Sequence, residues 1–577
     1  MSANTPQQGT AVLELAMEMS LTGPLLDAIN EKFGPKAARD AAMSTSVGGI
    51  GPLLRERVIS QAAHGVDVLG VSLLYQTVWT QGLHNWNHLY LDRNAVGAYL
   101  RAVLQDTGRE LSLTLFDGSR INVKVWKADY GQAPVYFLDC PGVTDVVYPC
   151  QEDAPPKTPD PVRWADLQRY KQSWLIGRGA LALAKALDFK PDIVVQSETP
   201  TLFAHHRLVL DEFHDDPFFK DTRYIFNDHT PLEYAHPIWP KPLLDELKMD
   251  PVVYAPFLQN DRVDITRLLV ATAEGVFGVA EKHGRVMRAM PSLHDYAGKI
   301  HAITNGVSRE IWQHPGFADA DKLSDAELLA LKYRLRKDFV DWLWRRAGLW
   351  PSWLKEVRNN AFLLWTRRVT SYKRLDILGR VMRDPSLRKR FLALDLTLVV
   401  GGRIYQRDNV SEKVVYNLVE LLNEDKELGN RIVFLDNFNV WEAPKLYQGA
   451  DGAIMLADDG REASATGFMK SQMNGGAIVA NSDGAVPEFV RFLGDKGVAG
   501  PANGFGVVYS GGQPDPASFF QALEDFNAVQ KDPARHAAMI RAAVSVTPLV
   551  DVARTVADTR RYYEEVLRVG GKPAVPA

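Results

Sequence analysis

The sequence predicts an α/β protein made of two doubly wound, Rossmann-like domains facing each other across a cleft. Three observations carry this. Short runs rich in Val, Ile and Leu recur without polar alternation, as in parallel strands covered on both faces. Helix-patterned stretches separate them. The alternation occurs twice, over residues 190–306 and 360–500.

In chain order, STSVGGIGPLLRE (44–56) reads as a Gly-rich loop that opens a helix. PCQEDAPPKTPDP (149–161) reads as an exposed, Pro-rich loop. PDIVVQ (191–196), TRYIFN (222–227) and KIHAIT (299–304) read as buried strands of the first domain. SDAELLALKYRLRKDFVDWLWRRA (324–347) is a helix with Ser324 as N-cap, acidic residues early and basic ones late. The second domain follows with AFLLWTRR (361–368), LDLTLVVGG (394–402), NRIVFLD (430–436), DGAIML (451–456) and GAIVANS (476–482) as strands. SEKVVYNLVELLNED (411–425) is a helix among them. The expected domains are 1–306 and 307–547, with 548–577 a C-terminal helix crossing back and ending in a frayed tail.

Composition bounds the function. The chain has 577 residues, 46% apolar and 24% charged, so it can bury a large core without disulfide or metal staples. A net charge of −4 argues against a nucleic-acid face or a polybasic membrane anchor. Cys140 and Cys150 are the only cysteines and match no zinc spacing. The first residues lack the order of a signal peptide, and no apolar run is long enough to span a bilayer. The expectation is a soluble cytoplasmic enzyme. No P-loop, H-E-x-x-H, C-x-x-C or G-x-S-x-G motif is present.

Three segments carry chemistry. In the loop at 48–51, backbone amides at a helix start suit an anion; the plainer reading is a tight turn at positive φ. In LLWTRRVTSYKRLD (363–376), Arg367, Arg368, Lys373 and Arg374 follow a buried strand, where α/β ligands bind; the plainer reading is a solvated basic loop. In REASATGFMKSQMNGGAIVANSDGAVPEFV (461–490), small residues lead into a helix carrying Lys470 beside Met469 and Met473. A lysine among apolar neighbours loses its charge readily and suits Schiff-base chemistry; alternatively it snorkels to solvent.

Together these segments resemble the α-glucan (glycogen/starch) phosphorylases, in their compact bacterial and archaeal branch. That family consists of pyridoxal 5′-phosphate-dependent glycosyltransferases of the B-type fold. The family hallmark E-A-S-G-T-x-N-M-K-x-x-x-N-G stands here as EASATGFMKSQMNG (462–475), and K/R-R-x-x-x-Y-K-R stands as RRVTSYKR (367–374). NDHTPLE (227–233) and ITNGVSREIW (303–312) continue the match. The resemblance implies that Lys470 binds the cofactor's aldehyde, with Arg367, Thr466, Gly467 and Tyr372 as further cofactor contacts. It implies that Arg368, Lys373 and the Gly49 amide bind the substrate phosphate. It places His229, Asn305, Glu462, Ser464, Ala465 and Gly48 at the sugar. The implied reaction is reversible, retaining phosphorolysis of an α-linked glucan or oligosaccharide to a sugar 1-phosphate. Inorganic phosphate protonates the leaving oxygen and attacks the anomeric carbon. Two phosphates in contact repel strongly, so a dense cationic cradle is required. A homodimer is the family expectation.

The chain departs from the family at Val47, Ala465, Phe468 and SETP (197–200), which leaves the sugar open. Residues 18–46 read as an insertion before the Gly loop. Two rival readings remain. One is a nucleotide-sugar-dependent transferase of the glycogen-synthase or trehalose-synthase type. Its Glu-x7-Glu layout is matched here by Glu462 and, in the second position, Lys470. The other is a non-catalytic protein on the same fold.

Overall fold

The computed structural model describes residues 9–84, 88–404, 408–495 and 501–568. The expected tail at 570–577 lies outside them. Two compact units form. The first holds the chain up to Val78, Asn94–Thr304, and Thr555 onward; the second holds Trp79–Arg93 and Asn305–Arg554.

The first unit is built on nine strands: β1 (Ala11–Leu15), β2 (Asp67–Leu73), β3 (Gln105–Thr114), β4 (Arg120–Tyr130), β5 (Ala133–Asp139), β6 (Ile193–Ser197), β7 (Arg223–Asn227), β8 (Gly275–Gly278) and β9 (Ile300–Ala302). Their order is β9-β8-β7-β6-β1-β2-β5-β4-β3. Seven strands run parallel, and β4 and β3 add antiparallel pairing at one edge. Strands β6 and β8 are buried throughout and β7 from Tyr224 on, so they need no polar face. Sequence order reverses between β1 and β6, and ligands of open α/β sheets bind at the carboxyl ends beside such a reversal.

The second unit has six parallel strands: β10 (Ala361–Thr366), β11 (Leu396–Gly401), β12 (Ile432–Leu435), β13 (Gly452–Met455), β14 (Ala477–Ala480) and β15 (Gly504–Gly506). The order β12-β11-β10-β13-β14-β15 is that of a dinucleotide-binding sheet, with its reversal between β10 and β13. Each strand predicted in this half is present.

Helix α1 (Ile50–Ala63) follows the Gly loop, and α2 (Pro161–Ala186) covers the first sheet. Helix α3 (Asp325–Ala347) starts at Ser324 with a complete capping box: the Ser324 hydroxyl accepts from the Glu327 amide, and the Glu327 carboxylate accepts from the Ser324 amide. Residues 18–46, read as an insertion, fold into two helices, Gly23–Phe33 and Pro35–Ser44. The 149–161 stretch is exposed only in its later part. Its start is a turn in which the buried Asp153 carboxylate accepts the Cys150 amide at 2.8 Å.

One segment of the first half clusters with the second unit. The strand Thr77–His84, which pairs with His88–Ala95, is bound there through Gln81: its amide donates to Asn437 Oδ1 at 2.8 Å, and its Oε1 accepts from the Ile404 amide at 3.0 Å. At the other end of the chain, α5 (Val552–Arg568) packs on the first unit. Tyr562 Oη accepts the Val276 amide at 2.8 Å, and Tyr563 meets Gln61 at 3.1 Å.

Candidate functional site

In the second unit the chain leaves β10 at Thr366 and presents Arg367 and Arg368 at the sheet's reversal point. Arg367 donates to the carbonyl of Leu456, just after β13, at 2.8 Å, which fixes it across the two strand ends. Its other guanidinium nitrogen pairs with Glu462. Lys373 reaches the same carboxylate oxygen at 2.9 Å. Arg374 adopts a left-handed backbone at φ 56° and grips Asp458 with two bonds of 2.6 and 3.0 Å. It therefore anchors the loop rather than joining the cluster.

Burial and the neighbouring Arg367 bring the Lys373 ammonium down to about 7, although Glu462 opposes this. Burial acts against the Glu462 charge, but Lys373, Arg367 and Arg368 outweigh it and hold the carboxyl at about 2. The Tyr372 phenol is pushed up to about 12 by burial and by Glu462. A lysine at the edge of protonation beside two arginines is a place where positive charge is stored and one more anion is welcome.

Asp483 holds the Glu462 loop in place. Its carboxylate accepts the amides of Gly460, Arg461 and Glu462 at 3.2, 3.1 and 3.0 Å. Gly484, at φ 57°, lets the next turn pass against Ser464, where a Cβ would meet backbone at 2.9 Å. Ser464 Oγ is buried with no hydrogen-bond partner, ready for a ligand hydroxyl or anion. Ala465 occupies a left-handed backbone position at φ 64°, where the resembled family has glycine.

Helix α4 (Gly467–Gln472) spans six residues. Met469 and Met473 are fully buried, as their spacing predicts. Lys470 is half-buried, and its Nζ stands 3.8 Å above the Trp312 ring and 5.9 Å from the Tyr447 ring. Asn474 ties these parts together: its side-chain amide donates to the carbonyls of Trp312 and Lys470 at 2.8 and 2.9 Å. Tyr447 is fixed by Thr366 at 3.1 Å, and Gly467 packs so close that a Cβ would meet Met455 at 2.5 Å. Thr466, before the helix, makes no side-chain cap. An amine held over an aromatic face, on the helix that follows the Glu462–Ser464 loop, suits a flat anionic heteroaromatic. Asn305 is buried, with its carbonyl taken by Arg554 at 3.0 Å.

In the first unit the candidate residues follow β1, β6 and β7. Gly49 caps α1 at φ −84°, and a Cβ at Gly48 or Gly49 would meet nothing within 4 Å. The positive-φ turn therefore does not explain these two glycines. Gly51 is required by close approach, since its Cβ would meet the Thr45 carbonyl at 2.6 Å. The loop's amides face an acid of this chain: Glu18 accepts from Val47 and, at 3.4 Å, from Gly48. Helix α1 is held by buried Arg57, which bonds Glu14 at 2.6 Å and Asn227 at 2.8 Å.

His229 is buried and neutral, its pKa lowered to about 3 by burial and by Arg57. Its Nε2 has no partner. Its amide donates to Glu198 at 3.1 Å, and Thr230 donates to the same oxygen at 2.7 Å. Glu198 stands at φ 70°, and burial with the adjacent Asp228 charge pushes its carboxyl well above the usual range. Asp228 lies 3.5 Å from His236 and 3.6 Å from His283. Burial works against the charge on His236, but Asp228 raises it to about 9.

Sequence reasoning missed Glu18, Glu198, Asp228, His236, His283 and Asp483. Isolated acids and histidines carry no spacing signal. Glu198 sits in SETP, which attracted notice only for its missing histidine; an acid directly after a predicted strand was the available signal.

Known proteins resemble the chain in two ways. The carbohydrate phosphorylase family model matches residues 317–500, and the starch synthase catalytic domain model matches residues 37–317. Glycogen phosphorylase of Mycobacterium tuberculosis (strain ATCC 25618 / H37Rv) is 25% identical over 516 residues, covering 76% of this chain and 58% of that protein. Maltodextrin phosphorylase of Thermococcus litoralis is 21% identical over 508 residues, with the same two coverages. The chain thus spans a little over half the length of these curated relatives. The catalytic domain of starch synthase IV from Arabidopsis thaliana, solved bound to ADP and acarbose, superposes with a TM-score of 0.70 at 16% identity, covering 97% of this chain and 99% of that one. Among the described residues no helix is long and apolar enough to cross a membrane. The chain has the B-type glycosyltransferase fold, and it matches the carbohydrate phosphorylase model over residues 317–500 and the starch synthase catalytic domain model over residues 37–317.

Proposed function

We propose that the protein catalyses reversible, retaining phosphorolysis of an α-linked glucan or oligosaccharide, using inorganic phosphate and pyridoxal 5′-phosphate. The carrying observation is Lys470. It stands where a nucleotide-sugar transferase of the Glu-x7-Glu layout has its second acid, inside the phosphorylase-matched segment, with its amine over the Trp312 ring. An acid at that position would suit a donor ribose; an amine suits an aldehyde.

Lys470 would hold the cofactor, with Arg367, Tyr372, Thr466 and Gly467 around it. The bound group would supply a phosphate able to exchange a proton with the substrate phosphate. Arg368 and Lys373 bind the substrate phosphate, and Arg367 with Lys373 offsets the repulsion between neighbouring anions. Glu462, held ionised, balances these cations before phosphate arrives and offers an acceptor to a sugar hydroxyl. Ser464 Oγ, buried without a partner, supplies a further hydrogen bond to the sugar, with Ala465 next to it in the same loop. In the first unit His229 Nε2 is likewise buried without a partner, a group suited to a sugar hydroxyl.

The starch synthase match over residues 37–317 favours a second reading, transfer from a nucleotide sugar. One experiment separates the two. The purified protein is checked for pyridoxal absorbance and hydroxylamine-releasable cofactor, then assayed for phosphate release from glucose 1-phosphate with glucan acceptors, and for nucleotide release from ADP- or UDP-glucose. Pyridoxal with phosphate release is the expected result. Nucleotide release without pyridoxal would overturn the proposal.

A further inference from the structure

At the opposite end of the first sheet, a shallow depression open to solvent is lined by His205, Arg207, Lys220, Arg223, Tyr224 and Glu274. Arg223 begins β7 and Glu274 directly precedes β8, so this is the amino end of strands whose carboxyl ends carry Asn227 to His229. A five-residue strand separates the two places by about 16 Å.

The depression rests on a rigid base. Buried Arg178 donates to the carbonyls of Phe203, His205 and His206 at 2.7, 3.3 and 3.4 Å, and pairs with Asp211 at 2.8 Å. This clamps the turn that carries His205, His206 and Arg207. The His205 ring stacks on Tyr224 with centroids 3.9 Å apart, and His206 Nδ1 meets Tyr224 Oη at 2.7 Å. Burial keeps both imidazoles neutral, His206 at about 3. His205 is 3% exposed, and its Nδ1 has no partner.

The charges around this base do not cancel. Among the described residues, the side chains of Arg207 and Lys220 make no hydrogen bond or ion pair, and Arg223 only faces Glu274 at longer range. The Glu274 carboxylate is engaged by the Tyr224 amide at 2.7 Å. Three cations against one acid leave a surplus of two positive charges, which matches a phosphate dianion. Two guanidinium groups supply the planar donor forks that oxyanions select.

We propose that this depression is a second, non-catalytic site for a phosphate group, inorganic or at the end of a sugar phosphate, held by Arg207, Lys220 and Arg223 over the His205–Tyr224 stack. It stands independently of the proposed reaction. A phosphate bound here touches β7 and β8 from behind and stiffens the strands that end in His229.

Hydrogen exchange on the full chain tests this, because its readout is local. With inorganic phosphate or glucose 1-phosphate against chloride at equal ionic strength, exchange of 205–208, 222–224 and 272–275 is expected to slow. The concentration for half-protection should rise at least about tenfold in the double variant Arg207→Ala/Lys220→Ala, since two charge-assisted contacts are lost. Lys220 is exposed and Arg207 partly so, and the side chain of neither makes a hydrogen bond or ion pair among the described residues. Protection by inorganic phosphate alone identifies it as the ligand, and stronger protection by the sugar phosphate identifies that instead. No local protection by either, or protection unchanged in the double variant, would overturn the site.

Discussion

At the carboxyl ends of the second sheet, Arg367 and Lys373 close on a single acid, Glu462, with Arg368 near enough to help hold its charge. At those of the first sheet the balance is reversed: Glu18, Glu198 and Asp228 stand with His229, His236 and His283. Both sites lie where strand order reverses, so the fold offers the same geometry twice. The side chains make the two different. The second region gathers positive charge and suits anions. The first presents acids, a protonated His236 and a neutral, unpartnered His229, which suits hydroxyl-rich ligands.

Four variants break or sharpen this contrast. Lys470→Ala should remove pyridoxal from the purified protein and abolish turnover, read by absorbance and phosphate release; an active, cofactor-free variant would detach the second region from its assigned chemistry. Arg368→Ala should raise the phosphate requirement and lower the rate by about 10²–10³-fold; steady-state kinetics against phosphate would show this, and an unchanged phosphate dependence would mean that the cradle is structural.

The third test concerns the first region. His236 has its pKa raised from 6.5 to about 9 in the folded protein. Its contribution is therefore complete below pH 6.5 and is lost as pH rises through 9, up to about 3 kcal/mol. Denaturation midpoints should fall across that window in the parent and stay flatter in His236→Asn. The smallest effect is expected at Ala465, whose left-handed backbone costs about 1 kcal/mol. Ala465→Gly should raise the unfolding free energy by that amount, read as a higher unfolding midpoint, and a lowered midpoint would argue against the strained turn.

The two regions also differ in how far they could be read beforehand. Arg367, Arg368 and Lys373 lie within one short segment after a strand, and Lys470 shares a motif with Glu462, so proximity in sequence already placed them close in space. The acids and histidines of the first region come from segments after four separate strands, and no spacing along the chain links Glu18 to Val47 or Asp228 to His283. The Gly loop shows the same limit. Its glycines were legible, but the Glu18 carboxylate on their amides was not.

By itself the sequence determined the α/β class, five of the six strands of the second sheet, the capping of α3 and the cationic segment, because local hydrophobic period and short-range charge spacing encode these directly. Only the tertiary structure decided that the 79–93 segment clusters with the second unit, that Arg374 anchors a loop, and that Lys470 meets Trp312 across 158 residues of chain. Those outcomes depend on which strand ends are brought together. Strand order comes from the packing of whole helices and sheets, and no local pattern records it.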